Sequence, residues 1–161
     1  MAKNNSERPY KVFKIEKGTV IDHIPAPKGL LVLEILGKEN DGIVSIGLNF
    51  DSNKVGKKDL IKFENKIIDK EETDKIALVA PEATINIIEN GEVTEKRSID
   101  VPQRIHGFLK CMNPNCIVNV ENLESKFKVI DENPVKLRCD YCERVWEVKY
   151  DMIEKNRKSE I

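Results

Sequence analysis

Cysteine is missing from the first 110 residues of this 161-residue chain. That excludes both a disulfide framework and a thiolate metal site from most of it. Aromatic residues are scarce, at 6% with a single Trp. The strand-like run "GIVSIGLNF" accordingly lacks the aromatic row on which RNA bases would stack. Neither sign of charge is in excess: 27 basic and 28 acidic side chains leave a net charge of −1. Residues 1–100 carry 16 basic and 18 acidic groups and residues 101–161 carry 11 and 10, so neither part offers the positive footprint of a nucleic-acid binder. No apolar run approaches the roughly 20 residues of a membrane span. The N-terminus "MAKNNSERPYKVF" has no apolar core of a secretory signal. A cytoplasmic protein with no membrane and no nucleic-acid partner is expected. No Gly-rich phosphate loop or dinucleotide fingerprint is present.

What remains is 40% hydrophobic and 34% charged, a soluble, globular composition long enough for one large domain or two small ones. Tyr10, Val12 and Phe13 or Ile15 alternate with Lys11, Lys14 and Glu16, which predicts a strand ending near Gly18. The apolar run 30–36 followed by Gly37 predicts a helix. Val44, Ile46, Leu48 and Phe50 predict a half-buried strand, and "DSNKVGKKD" a polar loop. "LIKFEN" predicts a strand with Ile61 and Phe63 on one face. "DKEETDKIALVAP" predicts a helix, with acids in its first turns and Pro81 beyond its end. "ATINIIENGEVTEKRSI" predicts a hairpin turning at Asn90-Gly91. The order strand, helix, strand, strand, helix, strand, plus one further strand, is the α+β split βαβ, ferredoxin-like arrangement. Its two helices would cover one sheet face and leave the other to bind or pair. Pro102 and its polar neighbours predict a linker near residue 101, giving domains 1–101 and 102–161. The second is expected to be small and all-β, from the runs "CIVNV", "KFKVI", "VKLRC" and "RVWEVKY".

All four cysteines fall in that second domain, as C-x4-C (Cys111, Cys116), 22 residues, then C-x2-C (Cys139, Cys142). Two short knuckles joined by a hairpin-like span suit tetrahedral Zn²⁺. Disulfides, an iron–sulfur site and buried free thiols are the competing readings. A reducing compartment disfavours the first, and spacing does not separate the second from zinc. With four thiolate ligands no position stays open for water, so one zinc here is structural. Its binding energy is folding energy for a segment with few large apolar side chains.

In the first domain, Asp22 and His23 precede a helix, "GKKDLIK" supplies Lys57, Lys58 and Lys62, and Lys96 and Arg97 lie on a late strand. A lone His beside an Asp is ordinarily a satisfied loop residue, and lysines ordinarily solvate a face. Together they suggest an anion site. An acid–base dyad in an enzyme is a rival reading, but no nucleophile signature accompanies Asp22 and His23. A zinc-ribbon nucleic-acid module is the other rival, opposed by the balanced charge and scarce aromatics.

Five peptides carry more: "GTVIDHIPA" (18–26), "IGLN" (46–49), "GKKDLIK" (56–62), "APEATIN" (80–86) and the cysteines in x4 and x2 spacing. In these, and over nearly its whole length, the chain resembles the regulatory chains of aspartate carbamoyltransferase. It departs from them at Gly91, where the family carries a bulky aromatic, and in the side chains of "KVFKIEKG". The resemblance implies a non-catalytic subunit of pyrimidine biosynthesis. Its N-terminal domain would bind CTP or ATP, with UTP in some members, as allosteric effectors. Matched by position, Ile15 would offer its backbone to the base, and Asp22 would lie near the ribose. His23 and Lys96 would face the phosphates. Lys62 would reach toward ribose and base, Lys58 would add positive charge, and Asn86 would shape the pocket. Asn113, Asn115 and Glu143, beside the zinc ligands, would dock on the catalytic chain. Dimers through the N-terminal sheet, three of them bridging two catalytic trimers, are also implied.

Overall fold

The computed structural model describes residues 13–37 and 40–153. Its elements follow in the order β1 (Gly18–Pro25), α1 (Gly29–Leu36), β2 (Val44–Ser52), β3 (Gly56–Glu64), α2 (Lys70–Val79), β4 (Thr84–Glu89) and β5 (Glu92–Ser98). Then come β6 (Arg104–His106), α3 (Ile117–Val120), β7 (Lys126–Glu132), β8 (Val135–Cys139), β9 (Val145–Glu147) and a 3₁₀ turn at Tyr150–Met152. No helix among the described residues is long and apolar enough to cross a membrane.

The first sheet runs β2-β3-β1-β4-β5, all antiparallel. Its first four strands have the ferredoxin-like order, and β5 extends it as a hairpin from β4. Strand pairing sorts side chains by face, because residues opposite one another share a face. The rows Ile46–Ile61–Ile21–Ile85 and Val44–Phe63–Thr19–Ile87 lie on the core face. Ile21, Ile61, Phe63 and Ile85 are fully buried there. Burying each such side chain contributes about 1.5–3 kcal/mol. Thr19 is also fully buried, with its hydroxyl donating to the Lys66 carbonyl at 2.7 Å.

Among the described residues, the expected strand before Gly18 is absent. Tyr10 and Val12 lie outside the described residues, 13–17 are not in a strand, and β1 begins where that strand was to end. Both β3 and β4 pair with residues from Gly18 onward, which places Thr19 and Ile21 on the core face. Gly18 itself has φ +144°, and a Cβ there would lie 1.9 Å from the Phe63 carbonyl oxygen. The polar run after β2 is likewise a hairpin rather than an open loop, since β2 pairs on to Ser52 opposite Gly56. Leu48 does not share the buried face expected of it. The pairing with β3 slips between Gly47 and Phe50, Asn49 takes φ 66°, and Leu48 is 48% exposed.

The α2 helix and the β4–β5 turn form as predicted, for local reasons. Asp69 caps α2 by accepting from the Glu72 N–H, and the Glu72 side chain accepts from the Asp69 N–H in return. Asn90 (φ 51°) and Gly91 (φ 74°) supply the two left-handed positions of the turn.

The second sheet runs β6-β7-β8-β9. Its core is Phe127, Leu137 and Cys139, with Leu109 and Met152 beside them, all fully buried. Two expectations change here. Arg104–His106, just after the expected linker and not among the expected strand runs, pairs with β7 as β6. "CIVNV" is a turn of helix, α3, in which only Val118 is buried while Ile117 and Val120 are exposed.

The described residues divide into two compact units that interleave along the chain. One comprises 13–29, 40–68 and 83–98, and the other 30–37, 69–82 and 99–153.

Candidate functional site

Opposite the core face of the first sheet, a polar row crosses four strands. Lys62 (β3) pairs with Val20 (β1), Val20 with Asn86 (β4), and Asn86 with Lys96 (β5). Asp22 lies two residues beyond Val20, opposite Thr84. There β1 bulges: Ile21 faces Ile61 but Ile24 faces Asp59, so Asp22 and His23 together oppose Leu60. His23 takes φ 56° in the bulge, and its N–H donates to Asp22 Oδ1 at 2.6 Å. Its Nδ1 lies 3.0 Å from Thr84 Oγ1 and 3.9 Å from Asp22 Oδ2. The Lys58 ammonium lies 2.9 Å from Asp22 Oδ1 and 3.2 Å from Oδ2.

The electrostatics of this face are cationic around His23. Burial pushes its imidazole below the ordinary value of 6.5; Asp22 opposes that shift, while Lys58, Lys54 and Lys96 reinforce it. Burial also lowers the Lys62 ammonium, against the pull of Asp22. Asn86 is 7% exposed, and its Oδ1 has no hydrogen-bond partner among the described residues. An acceptor in that state is costly unless something else supplies a donor.

The segment carrying Ile15 lies over this face. Lys62 Nζ donates to the Phe13 carbonyl at 2.8 Å, and Gly91 N–H donates to the Glu16 carbonyl at 2.9 Å. Ile15, between them, is buried at 6%. All seven residues expected at a nucleotide site thus belong to β1, β3, β4, β5 or the segment before β1, within one compact unit. Lys57 turns instead to Asp51, at 2.6 Å, and Arg97 to Glu95, at 2.6 Å.

Thr84 and Lys54 were not singled out from the sequence. Thr84 lies inside the quoted peptide "APEATIN", but its contact with His23 depends on the pairing of β1 with β4. Asp59 was also missed, although its signal was present: it alternates with Ile61 and Phe63 on the buried face of β3.

The four thiols of the second unit converge. All four Sγ atoms lie within 4.8 Å of one another; Cys111 and Cys142 are 3.7 Å apart, and Cys116 and Cys139 3.8 Å. These separations exclude disulfides, whose S–S bond is about 2.05 Å. They fit a tetrahedron whose centre lies about 2.3 Å from each sulfur, with edges of about 3.8 Å. Burial pushes the Cys111 thiol up to about 12. Cys142 is also pushed up by burial, but the Arg144 N–H and the Asn113, Cys111 and Cys139 groups bring it down to about 7. Without a cation at the centre, this cluster is a poor place for four thiolates.

Asn113 is 7% exposed and shapes the first knuckle: its Oδ1 accepts from Asn115 N–H at 3.2 Å and its carbonyl from Cys116 N–H at 3.0 Å. Asn115 and Glu143 are exposed at the surface beside the thiols. Glu143 takes φ 60° in the second knuckle, and its N–H donates to the Cys139 carbonyl. Asn119, which the sequence reading passed over, donates its amide to the carbonyls of both Cys111 and Asn113 at 2.8 Å. Only a helical turn after Cys116 brings it there, which explains why this run is α3 and not a strand.

A family model described as aspartate carbamoyltransferase regulatory chain, allosteric domain, matches residues 10–100. A second, described as the metal binding domain of the same regulatory chain, matches residues 103–153. The chain belongs to the aspartate carbamoyltransferase regulatory-chain family. A curated regulatory chain from Thermococcus sibiricus is 54% identical over 146 residues, covering 91% of this chain and 96% of its own length. One from Pyrococcus horikoshii is 56% identical over 140 residues, covering 85% and 92%. One from Methanocaldococcus jannaschii is 51% identical over 134 residues, covering 83% and 90%. The regulatory-chain family accounts for both parts found here: the polar sheet face lies within the match to the allosteric domain, and the four thiols within the match to the metal-binding domain.

Proposed function

We propose that this chain is the non-catalytic, effector-binding subunit of an aspartate carbamoyltransferase, with CTP, ATP or UTP bound on the polar face of the first sheet. The division falls near residue 101, with an allosteric domain before it and a zinc domain after it. The observation that carries the reading is the single register row Lys62–Asn86–Lys96, with Asp22 and Lys58 on the same face. A nucleoside triphosphate carries about four negative charges, and compact lysine ammonium groups suit it as point charges. Lys96, Lys58 and His23 would meet the phosphates. Asp22 would accept from the ribose hydroxyls, Lys62 would bridge toward the base, and the open Oδ1 of Asn86 would find a donor. The backbone at Ile15 would read the base.

The metal is zinc, held by Cys111, Cys116, Cys139 and Cys142. It supplies folding energy and rigidity and no chemistry, since four thiolates complete its tetrahedron. Asn115 and Glu143, exposed beside it, would meet the catalytic chain, while Asn113 would act there by holding the knuckle in shape. Dimers through the first sheet, three of them joining two catalytic trimers, complete the assembly. Regulation is then a coupling free energy, typically about 1–3 kcal/mol, between effector and enzyme state.

The test is reconstitution. The zinc-loaded chain is expected to co-elute with a carbamoyltransferase trimer, and CTP to shift the aspartate saturation curve of that complex. A chain that ignores the trimer, and gives no calorimetric signal with any ribonucleotide, sinks the proposal.

A further inference from the structure

Asp59 is a buried acidic side chain that the proposed site does not use. It is 1% exposed. Its Oδ2 accepts the Gly29 N–H at 2.7 Å and its Oδ1 the Asn49 N–H at 2.9 Å. Both donors lack an ordinary ladder position: Asn49 sits where β2 slips past β3, and Gly29 opens α1. The contact at Gly29 is close, since a Cβ added there would lie 2.6 Å from the Cβ of Asp59. On β3, Asp59 directly follows Lys58, and successive strand residues point to opposite faces. One dipeptide therefore carries the cation that holds Asp22 on one face and the anchor of the α1 N-terminus on the other.

The α1 helix itself passes from one compact unit to the next: Gly29 belongs to the first, and residues 30–37 to the second. Within that second unit, the Tyr150 hydroxyl donates to Glu34 Oε2 at 2.6 Å, tying α1 to the segment after β9.

We infer that Asp59 is a positioning residue that relays occupancy of the polar sheet face to α1, and that the Tyr150–Glu34 hydrogen bond passes it on to the metal-binding part of the chain. The inference rests on the nucleotide reading above and says how that site acts. A polyphosphate competes with Asp22 for the Lys58 ammonium. Freed of Asp22, the 58–59 segment resets against the β1 bulge. The bonds of Asp59 resist breaking, because its carboxyl group would be left buried without donors. The N-terminus of α1 moves with it instead.

The test uses the full chain assembled with catalytic trimers and CTP as the probe. Two quantities are read on the same preparation: CTP affinity by calorimetry, and the CTP-induced change in aspartate half-saturation. Asp59→Asn keeps the shape but turns one acceptor into a donor. It is expected to hold CTP affinity within about threefold while cutting the CTP-induced change at least about fivefold, the low end of ordinary allosteric factors. Tyr150→Phe, which alters neither the polar sheet face nor a thiol, is expected to give the same split, and decides the matter alone if Asp59→Asn does not assemble. An undiminished CTP response in either variant overturns the relay, and so does a parallel fall of affinity and response. If the unaltered complex binds no CTP, or binds it without any change in aspartate saturation, the nucleotide reading itself fails and the relay with it.

Discussion

The Lys58 ammonium and the Asp22 carboxylate meet at 2.9 Å beside the β1 bulge, each side chain about one-fifth exposed. The pair is partly desolvated, so a competing anion of higher charge has a real hold on the lysine. Lys58 is paired with Asp22, which a polyphosphate bound as proposed would have to displace to reach it.

Lys96 lies at the β5 end of the row. Replacing it by Ala is expected to weaken triphosphate binding by at least about 1 kcal/mol, the scale of a hydrogen bond to a charged group. Calorimetry with CTP and ATP checks this, and unchanged affinity removes Lys96 from the site.

His23 makes the site sensitive to pH. Its folded value lies below 6.5 because of burial and the neighbouring lysines. Between the two values the unfolded chain binds the proton more readily, so stability present above 6.5 is lost as pH falls through the lowered value. The ligand-free chain should lose stability on acidification from neutral pH, and His23→Gln should flatten that slope in urea titrations. A bound triphosphate reverses the local balance and favours the imidazolium, so binding near pH 6 should take up protons and tighten as pH falls. Calorimetric enthalpies that are equal in two buffers of different ionisation heat would count against this.

Metal removal separates the two parts. A chelator or mercurial is expected to release the chain from its catalytic trimers, while nucleotide binding by residues 1–100 survives. Gel filtration and calorimetry on one sample read both. An intact assembly after verified metal loss refutes the structural role of the metal. Cobalt substitution should give the spectrum of tetrahedral thiolate ligation, and an octahedral spectrum would exclude the four-thiol site.

Asp69 caps α2 through its side chain and the return bond from Glu72. Asp69→Ala is expected to cost about 0.5–2 kcal/mol of stability in denaturant unfolding, without altering metal content. A loss of metal along with stability would show that the substitution acts beyond the helix.

Much of the fold was legible because its causes are local. The alternation at Ile61 and Phe63, the acids before α2 and the Asn90-Gly91 turn each specify their element within a few residues. The x4 and x2 spacing of the cysteines did the same for the thiol cluster. The failures fall where distant partners decide. Residues 13–15 continue the strand-like alternation begun at Tyr10, yet the strand starts at Gly18, because that is where β3 and β4 align. "CIVNV" has the composition of a strand, yet the Asn119 amide must reach two carbonyls in the knuckle, and a helical turn delivers it.

The amino-acid sequence by itself determined the family and the two cysteine pairs that converge, since each follows from residue type and short spacing. Only the tertiary structure decided which of the lysines share a face, where the strands bulge, and that Asp59 grips two backbone N–H groups from β2 and α1. Those facts depend on strand register, and register is set by pairing between segments far apart in the chain, where a slip of one residue would turn every side chain to the opposite face.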